Sequence, residues 1–388
     1  MLVGKHLYFE RYMEMRILGI YEELGVERYI NAMGTYTAWG GSKMSEQTLS
    51  DMRDAASSFC DIKDLQIKVG RKIAEMTNNE AAYVCNGAAC GVYLALLSAL
   101  SLKLGKKTKY LTREDFASAE VIVYRSHLSP YDVVFNQLGV RTVELGNSNH
   151  VPAEPIEDIR NAITDKTFAA YFLNSGWTSI GAPTLEQMSE AVKPYGIPVI
   201  MDAAAMLPPV ENLWGFTSAG ADVAVFSGGK DIHGPQSSGL IVGSKKIIDN
   251  IIDFGFPTPG LGRMMKTGRE EIVGLYSALK QFMAEDPGAR LRDAEEQVLL
   301  AKKLLEGSRL FTAERSYPNE AGQPIPRVGI HVNDKNISVA EILAFLREGE
   351  PHVIAQGDKL KADLFYLNPM TMTKEEMRLS CEKLIKFM

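Results

Sequence analysis

The feature that most constrains the fold is an alternation of short apolar runs with helical patterns between about residues 80 and 250. Such alternation is typical of a mainly parallel sheet with crossover helices, so we predict that this part of the chain is α/β. The runs are rich in Val, Ile and aromatic residues, as buried strands are. The predicted strands are Ala82–Cys85, Val121–Tyr124, Arg141–Glu144, Phe168–Phe172, Pro198–Met201, Asp222–Phe226 and Gly239–Val242.

A cluster of turn-forming residues at Pro257–Gly262 ends this alternation and predicts a domain boundary. We therefore expect a large domain over residues 31–256 and a small α+β domain over residues 257–388. Residues 1–30 are predicted to form a helical arm, which indicates a partner copy of the chain. The elements expected after the boundary are helices near 268–283, 290–306, 339–347 and 374–387 and strands at 328–332, 352–355 and 364–367.

Composition and charge exclude several classes of function. The formal net charge of -6 gives no electrostatic reason to expect a nucleic-acid partner. The first residues mix both charge signs and lack the apolar core of a signal peptide. The longest apolar run, Val92–Leu102, is well short of the roughly 20 residues that span a bilayer. The four cysteines have no metal-ligand spacing, which favours reduced thiols. We expect a cytoplasmic protein without a membrane, metal or nucleic-acid partner.

Two residues that follow predicted strands indicate chemistry. Asp202 ends a buried strand, at the edge where ligands bind in open α/β sheets, and a carboxylate there can hold a pyridinium nitrogen protonated. Lys230 follows the next strand in a glycine-flanked loop and can form a Schiff base with an aldehyde. Taken singly, Asp202 is better explained as a helix cap and Lys230 as a solvated lysine. Their common setting favours a pyridoxal phosphate (PLP) site instead.

A PLP site also needs a phosphate anchor. Gly87, Ala88 and Ala89 place small residues between a strand and a helix, where free N–H groups and the helix dipole face an anion. Ser227, three residues before Lys230, can donate its hydroxyl to the same phosphate. Small residues at a strand-helix turn are also a common packing device, so this motif is specific only in combination with the lysine.

Six motifs spread over most of the chain carry a family resemblance. They are Ile30–Thr37, Gly40–Ser42, Asp64–Ala74, Asn86–Ala89, Met201–Ala203 and Ser227–Gln236. Together they resemble the selenocysteine-synthase-like family of PLP enzymes, and within it the branch of D-glucosaminate-6-phosphate ammonia-lyases. The resemblance implies fold type I, the aspartate-aminotransferase-like fold, with PLP on Lys230, a pyridinium partner at Asp202 and at least a homodimer.

The same resemblance implies further site residues and a reaction. His127 is expected to stack on the cofactor ring, and either His127 or Lys230 to protonate the leaving hydroxyl. Arg263 and Lys266 lie in a basic segment that resembles one of this branch and is expected to bind a substrate phosphate, although a solvated helix start explains these charges equally well. The implied reaction is α,β-elimination on a phosphorylated amino sugar acid. Asn368 stands near the place where many fold-type-I enzymes carry a carboxylate-binding arginine, which leaves the carboxylate ligand open.

Three other classes stay open. An L-seryl-tRNA(Sec) selenium transferase would need a basic surface and a tRNA-contacting domain, neither of which the sequence indicates. Another fold-type-I aminotransferase, desulfurase or lyase acting on a small amino acid would share Lys230 and Asp202. A non-catalytic binding protein is disfavoured because the lysine, aspartate and phosphate-loop positions all hold competent residues.

Overall fold

The structure is a computed structural model that describes residues 19–146, 154–173 and 182–387. These residues form two compact units. The larger unit contains Thr35–Arg292 and Tyr317–Ile325, and the smaller contains residues 19–34, Asp293–Ser316 and residues 326–387. Within the described ranges, no helix is long and apolar enough to cross a membrane.

The strands alternate with helices through most of the larger unit. In chain order they are β1 (Ile30–Asn31), β2 (Ala81–Cys85), β3 (Glu120–Tyr124), β4 (Arg141–Leu145), β5 (Thr167–Leu173), β6 (Val199–Asp202), β7 (Val223–Ser227), β8 (Gly239–Gly243), β9 (Phe311–Ser316), β10 (Arg327–Val332), β11 (Val353–Ile354), β12 (Gln356–Gly357) and β13 (Leu364–Leu367).

The helices of the described residues are α1 (Ile20–Glu23), α2 (Glu46–Ala56), α3 (Ile62–Met76), α4 (Ala88–Leu104), α5 (Arg113–Ser118), α6 (Val133–Leu138), α7 (Pro155–Ala162), α8 (Leu185–Val192), α9 (Asn212–Ser218), α10 (Lys245–Phe254), α11 (Arg269–Ala284), α12 (Ala289–Leu304), α13 (Val339–Arg347) and α14 (Lys374–Ile385). Short 3-10 turns lie at Thr37–Trp39, Thr108–Tyr110, Arg125–His127, Lys193–Tyr195 and Pro369–Thr371.

A seven-stranded sheet forms the centre of the larger unit, in the order β2-β8-β7-β6-β5-β3-β4. β8 runs antiparallel to both of its neighbours, β2 and β7, and the other neighbouring pairs in this sheet are parallel. Alternate residues of each strand belong to two different clusters of buried apolar side chains. In β2, for example, Val84 belongs to one cluster and Tyr83 to the other. The sheet is therefore covered on both faces, as its continuous apolar runs require. Because the strands other than β8 run parallel to one another, their carboxyl ends share one edge of the sheet.

Helix α4 begins near that edge and is buried over most of its length. It contains the apolar run Val92–Leu102, whose first ten residues are all buried. A helix that is apolar on all sides has to lie in a protein core. This burial fixes the position of the helix start at Ala88, directly after β2 and the turn at Asn86 and Gly87.

The smaller unit has its own sheet and core. Its antiparallel sheet has the order β12-β13-β10-β9, and β1 pairs separately with β11. Buried side chains such as Val298, Ile330, Phe365 and Leu384 form one apolar cluster in this unit.

All seven strands predicted for the α/β part are confirmed. Strand β9 was not predicted, because five of its six residues are at least partly exposed and most are polar. The boundary expected at residue 257 falls inside the larger unit, since α11 packs against α2 there. Of the predicted arm, residues 1–18 lie outside the described residues. In the described part of the arm, residues 19–30, α1 is helical and Ile30 is the first residue of β1.

Candidate active site

Asp202 and Lys230 lie at the same edge of the sheet. Asp202 is the last residue of β6, and Lys230 follows the end of the parallel neighbour β7 by three residues. Burial lowers the pKa of the Lys230 ammonium, while the charges of Asp202, Asp231 and Glu320 raise it. Within the described part of the chain, the Lys230 amine has no hydrogen-bond or ion-pair partner. An amine in this setting can react with an aldehyde.

The Asp202 carboxylate is buried and held at both oxygens. Its Oδ1 accepts a hydrogen bond from the Ala204 N–H at 3.0 Å, and its Oδ2 accepts one from the Tyr171 hydroxyl at 3.2 Å. Burial raises the pKa of Asp202, whereas the Ala204 N–H, the Lys230 charge and the Tyr171 hydroxyl lower it. These bonds leave each oxygen a further lone pair for a ligand donor.

The backbone around Lys230 is fixed by the segment before α2. The Ser42 hydroxyl donates to the carbonyls of Gly229, at 3.0 Å, and Lys230, at 2.7 Å. The backbone N–H of Ser42 donates to the Gly229 carbonyl as well. Gly41 has a φ of +68°, and a Cβ there would lie 2.4 Å from the Gly229 oxygen. Only glycine therefore lets the two segments approach this closely. These contacts fix the position of the Lys230 turn.

The phosphate turn, Asn86–Ala89, follows β2, and β8 separates it from Ser227 at the end of β7. In the sheet, Gly239 pairs with Cys85 on one side and with Ser227 on the other. The turn after Cys85 contains Gly87, with a φ of +102°, and α4 begins at Ala88 without a side-chain cap. The first N–H groups of a helix have no intrahelical acceptor, and the dipole there favours an anion. The start of α4 at Ala88 and Ala89 therefore suits an anion such as phosphate, and Ser227 lies across the sheet from Cys85 with Gly239 between them.

We expect Gly239→Ala to weaken binding of the cofactor by about tenfold or more, a loss of roughly 1.4 kcal/mol. A Cβ at Gly239 would lie 2.6 Å from the Gly87 carbonyl carbon and 2.9 Å from the Ala88 nitrogen, so the phosphate turn would have to shift. Fluorescence titration of the apoprotein with PLP measures the change. Gly215→Ala in α9 is the matched control, because its Cβ would meet no atom within 4 Å. Equal affinities for both variants would contradict the assignment of this turn.

His127 lies after β3, at the same edge of the sheet. The side chain is buried, and its ring centroid lies 4.5 Å from that of Phe172 in an edge-on arrangement. Burial lowers the pKa of His127 to about 4, opposed by a hydrogen bond to the Tyr171 backbone. The imidazole is therefore neutral at pH 7. This state suits stacking on an aromatic ring and disfavours proton donation.

Three buried polar side-chain atoms at this edge indicate where a ligand would bind. Asn86 Oδ1, Ser126 Oγ and His127 Nδ1 have no hydrogen-bond partner among the described residues. Asn86 follows β2, and the other two follow β3. Buried polar atoms are nearly always hydrogen-bonded in folded proteins, so a bound polar group accounts for them. With Asp202, Lys230 and the phosphate turn, they fit a phosphorylated heteroaromatic aldehyde such as PLP.

The basic segment after the sheet is exposed. The cationic groups of Arg263 and Lys266 lie 4.7 and 5.9 Å from the Phe256 ring centroid. Neither cation forms a hydrogen bond or an ion pair with another described residue. Arg269, by contrast, donates to the Ala55 and Ala56 carbonyls at the end of α2 and has a structural role. Arg263 and Lys266 thus have no acidic partner in the described part of the chain.

The sequence did not reveal every residue of this site. Tyr171 contacts Asp202, Ser42 holds the Lys230 turn, and Gln323 contacts Asp231. Ser42 belongs to a motif that carries the family resemblance, but the motif alone does not indicate a role for this serine. Gln323 lies in a loop about 90 residues after Asp231, and no local pattern marks it.

The comparisons with known proteins agree with this geometry. D-glucosaminate-6-phosphate ammonia lyase of Salmonella typhimurium is 28% identical over 372 residues, which cover 94% of this chain and 96% of that protein. The 5'-C-glycyluridine monooxygenase-decarboxylase of a Streptomyces species is 26% identical over 92% of this chain and 88% of its own. A solved structure of D-glucosaminate-6-phosphate ammonia-lyase superimposes with a TM-score of 0.80 at 27% identity, covering 95% of this chain and 97% of that one.

The family follows from a match over most of the larger unit. The family model described as L-seryl-tRNA selenium transferase matches residues 63–304, which is more than half of the chain. The structural neighbours share fold type I, and the matched family consists of PLP-dependent enzymes, so the predicted fold and cofactor are confirmed. The chain belongs to the L-seryl-tRNA selenium transferase family of PLP-dependent enzymes.

Proposed function

We propose that this chain is a PLP-dependent ammonia-lyase that converts D-glucosaminate 6-phosphate to 2-keto-3-deoxygluconate 6-phosphate and ammonia. The observation that carries the proposal is the nearly full-length similarity to an enzyme of that name in both sequence and structure. The arrangement of Asp202, Lys230 and the phosphate turn supports it, because these groups are what a PLP enzyme requires. A homodimer or larger assembly and a cytoplasmic location are parts of the same proposal.

The residues of the site have separate roles in this proposal. Gly87, Ala88, Ala89 and Ser227 would hold the cofactor phosphate, and Lys230 would bond to its aldehyde carbon. His127 would stack on the cofactor ring, and Asp202 would bind the ring nitrogen. When bound, PLP supplies an electron sink for a bond broken at the substrate Cα.

Lys230 is the proposed acid and base. Its free amine would take the Cα proton of the substrate, because burial favours the neutral form of Lys230. Departure of the C3 hydroxyl as water needs a proton, and the Lys230 ammonium can return one. His127 is a poor donor, since its pKa of about 4 leaves it neutral at pH 7. The water lost at C3 is regained when the C2–N bond is hydrolysed, so the net products are ammonia and the 2-keto-3-deoxy acid.

Arg263 and Lys266 are the proposed ligands of the substrate phosphate. Both are exposed cations in one short segment of the larger unit, and guanidinium and ammonium groups bind phosphate well. Both cationic groups lie near the same ring, that of Phe256.

A substrate screen tests the reaction. D-glucosaminate 6-phosphate, D-glucosaminate, D- and L-serine and L-cysteine are each incubated with the holoenzyme, and ammonia and 2-keto acid are measured together. We expect equal amounts of both products and the highest kcat/KM for the phosphorylated sugar acid. Transamination would release no ammonia, and desulfuration would release sulfur from cysteine alone. Faster consumption of serine or cysteine would overturn the sugar-acid assignment.

The same screen with variants tests the phosphate ligands. Arg263→Gln with Lys266→Gln should reduce the preference for the phosphorylated substrate by about 100-fold, because each lost charge-assisted bond contributes roughly 1.5 kcal/mol, or about tenfold. The matched control is Lys103→Gln with Lys193→Gln. These exposed lysines line a cavity at the opposite edge of the sheet, with Val199 and Asp222. An unchanged preference in the first pair would remove Arg263 and Lys266 from the site.

The second candidate is an L-seryl-tRNA(Sec) selenium transferase, which the family model favours by its description. The net charge of -6 disfavours it, since affinity for RNA rests largely on cationic contacts with phosphates. Filter binding with seryl-tRNA at low and high salt separates the two. Tight, salt-sensitive binding with no release of ammonia from any sugar acid would favour the transferase.

A further inference from the structure

Two nitrogen donors lie on one face of the four-stranded sheet of the smaller unit. Arg327 is the first residue of β10, and Asn368 directly follows β13 with an extended backbone at φ -100° and ψ 112°. The two strands pair antiparallel, and the pair at this end is Val328 with Leu367. One position further, Arg327 and Asn368 therefore stand opposite each other, which brings side chains to the same face with Cβ atoms about 5 Å apart. A single ligand can contact both side chains.

The Asn368 side chain has a fixed orientation and a donor without an acceptor. Its Oδ1 accepts a hydrogen bond from the Met370 N–H at 3.1 Å, in the short turn that follows β13. Turning the amide over would place its NH₂ group against that N–H, so this bond assigns Oδ1 and Nδ2. The side chain is 1% exposed, and Nδ2 has no hydrogen-bond partner among the described residues. An unpaired buried donor is costly, which indicates that a bound group accepts a hydrogen bond here.

Arg327 supplies a buried positive charge on the same face. The residue is 7% exposed, and its Cζ lies 3.8 Å from the centroid of the Tyr366 ring. The Tyr366 hydroxyl donates to Asp358 Oδ2 at 2.6 Å, and this bond holds the ring in place. A guanidinium group that lies over an aromatic face keeps its N–H groups at its edge, where they can bind a planar anion. The Tyr366 ring thus orients the cation.

One guanidinium and one amide N–H fit a carboxylate better than a phosphate. A carboxylate is planar, has two acceptor oxygens and matches the guanidinium fork, and its oxygens have lone pairs left for an amide donor. A phosphate group carries up to two negative charges and at least three acceptor oxygens, which one cation and one amide leave largely unmatched.

We propose that Arg327 and Asn368 form a carboxylate-binding site of the smaller unit, in which the guanidinium group and Asn368 Nδ2 donate to the oxygens of one carboxylate. Two kinds of ligand carry this group: a substrate, through its acid group, and a free carboxylate from solution. Only the first source rests on the proposed function, and the experiment separates the two.

The first part of the test compares two ligands that differ only in the acid group. D-glucosaminate 6-phosphate and its amino alcohol, in which CH₂OH replaces the carboxylate, are titrated into the holoenzyme, and the absorbance of bound PLP gives each Kd. We expect the wild type to prefer the acid by about 100-fold, roughly tenfold for each of two charge-assisted donors. Asn368→Asp should lower this preference to about one. It keeps an acceptor for the Met370 N–H but replaces the donor with a charged oxygen that repels a carboxylate.

The second part uses sodium acetate alone and needs no substrate. The Tm of the holoenzyme is measured in acetate and in chloride at equal ionic strength, because a ligand that binds the folded state raises the Tm. Loss of the acid preference in Asn368→Asp identifies the substrate as the source of the carboxylate. An acetate response that only Asn368→Asp loses, with an unchanged acid preference, identifies a free carboxylate. A wild type that binds neither sugar ligand contradicts the proposed function, and the acetate response then decides alone.

The matched control is Asn333→Asp, which adds the same charge to the same unit at the other end of β10. Asn333 directly follows this strand and is exposed, so we expect wild-type values in both parts. If Asn368→Asp gives no folded holoenzyme, Arg327→Lys decides, because it keeps the charge but removes the fork and should lower the acid preference about tenfold. Acid preference and acetate response that both equal those of the wild type in the deciding variant, or that are both missing from the wild type, would overturn the proposal.

Discussion

Asp202→Asn is expected to retain PLP but to lower kcat by about 10²- to 10³-fold, as removal of one preorganised electrostatic partner does in other enzymes. The amide has nearly the shape of the carboxylate and can still accept from the Ala204 N–H. It carries no charge to stabilise a protonated ring nitrogen, so the electron sink is weakened. Single-turnover kinetics with the absorbance spectrum of the bound cofactor measure both properties in one sample.

Tyr171→Phe is the control for Asp202. It removes the 3.2 Å hydrogen bond to Asp202 Oδ2 and keeps the charge, so we expect a much smaller loss of kcat. Equal losses in the two variants would mean that the hydrogen bond to Tyr171, and not the charge, is the essential feature. Wild-type turnover in Asp202→Asn with an intact cofactor spectrum would exclude the assigned role of Asp202.

Lys230→Ala is expected to reduce turnover by about 10³-fold or more, since the proposal assigns both proton transfers to this amine. Added alkylamines should restore part of the activity, because a small amine can occupy the space left by the side chain. Lys68→Ala is the control. That lysine is exposed and paired with Asp64, a kind of contact that contributes little, and its loss should leave kcat unchanged. More than a tenth of wild-type activity in Lys230→Ala without added amine would contradict the mechanism.

The central sheet was predictable because its signals are local. Each parallel strand is buried on both faces, so its sequence is a short continuous apolar run such as Val121–Tyr124. Strands of this kind end at one edge of the sheet, which is why Asp202 and Lys230 could be placed together before the fold was known. The start of α4 at Ala88 was predictable from the small residues before it.

The remaining features depend on contacts that the local sequence does not encode. Strand β9 is largely polar and exposed, so it lacks the apolar signal by which strands are recognised. The Asn319–Gln323 loop lies between two strands of the smaller unit in sequence, yet it packs in the larger unit through Leu207 and Asp231. Such a long-range pairing of polar side chains leaves no periodic pattern. The polar groups around Lys230 were therefore found only in the structure.

The central claim is that Lys230 is the residue that bonds to PLP. Borohydride reduction of the holoenzyme, followed by proteolysis and mass spectrometry, tests it most directly, because reduction turns this bond into a stable secondary amine. The account predicts a single pyridoxyl group on the peptide that contains Lys230, and none in Lys230→Ala. A pyridoxyl group on another lysine, or a wild-type protein that takes up no PLP, would contradict it.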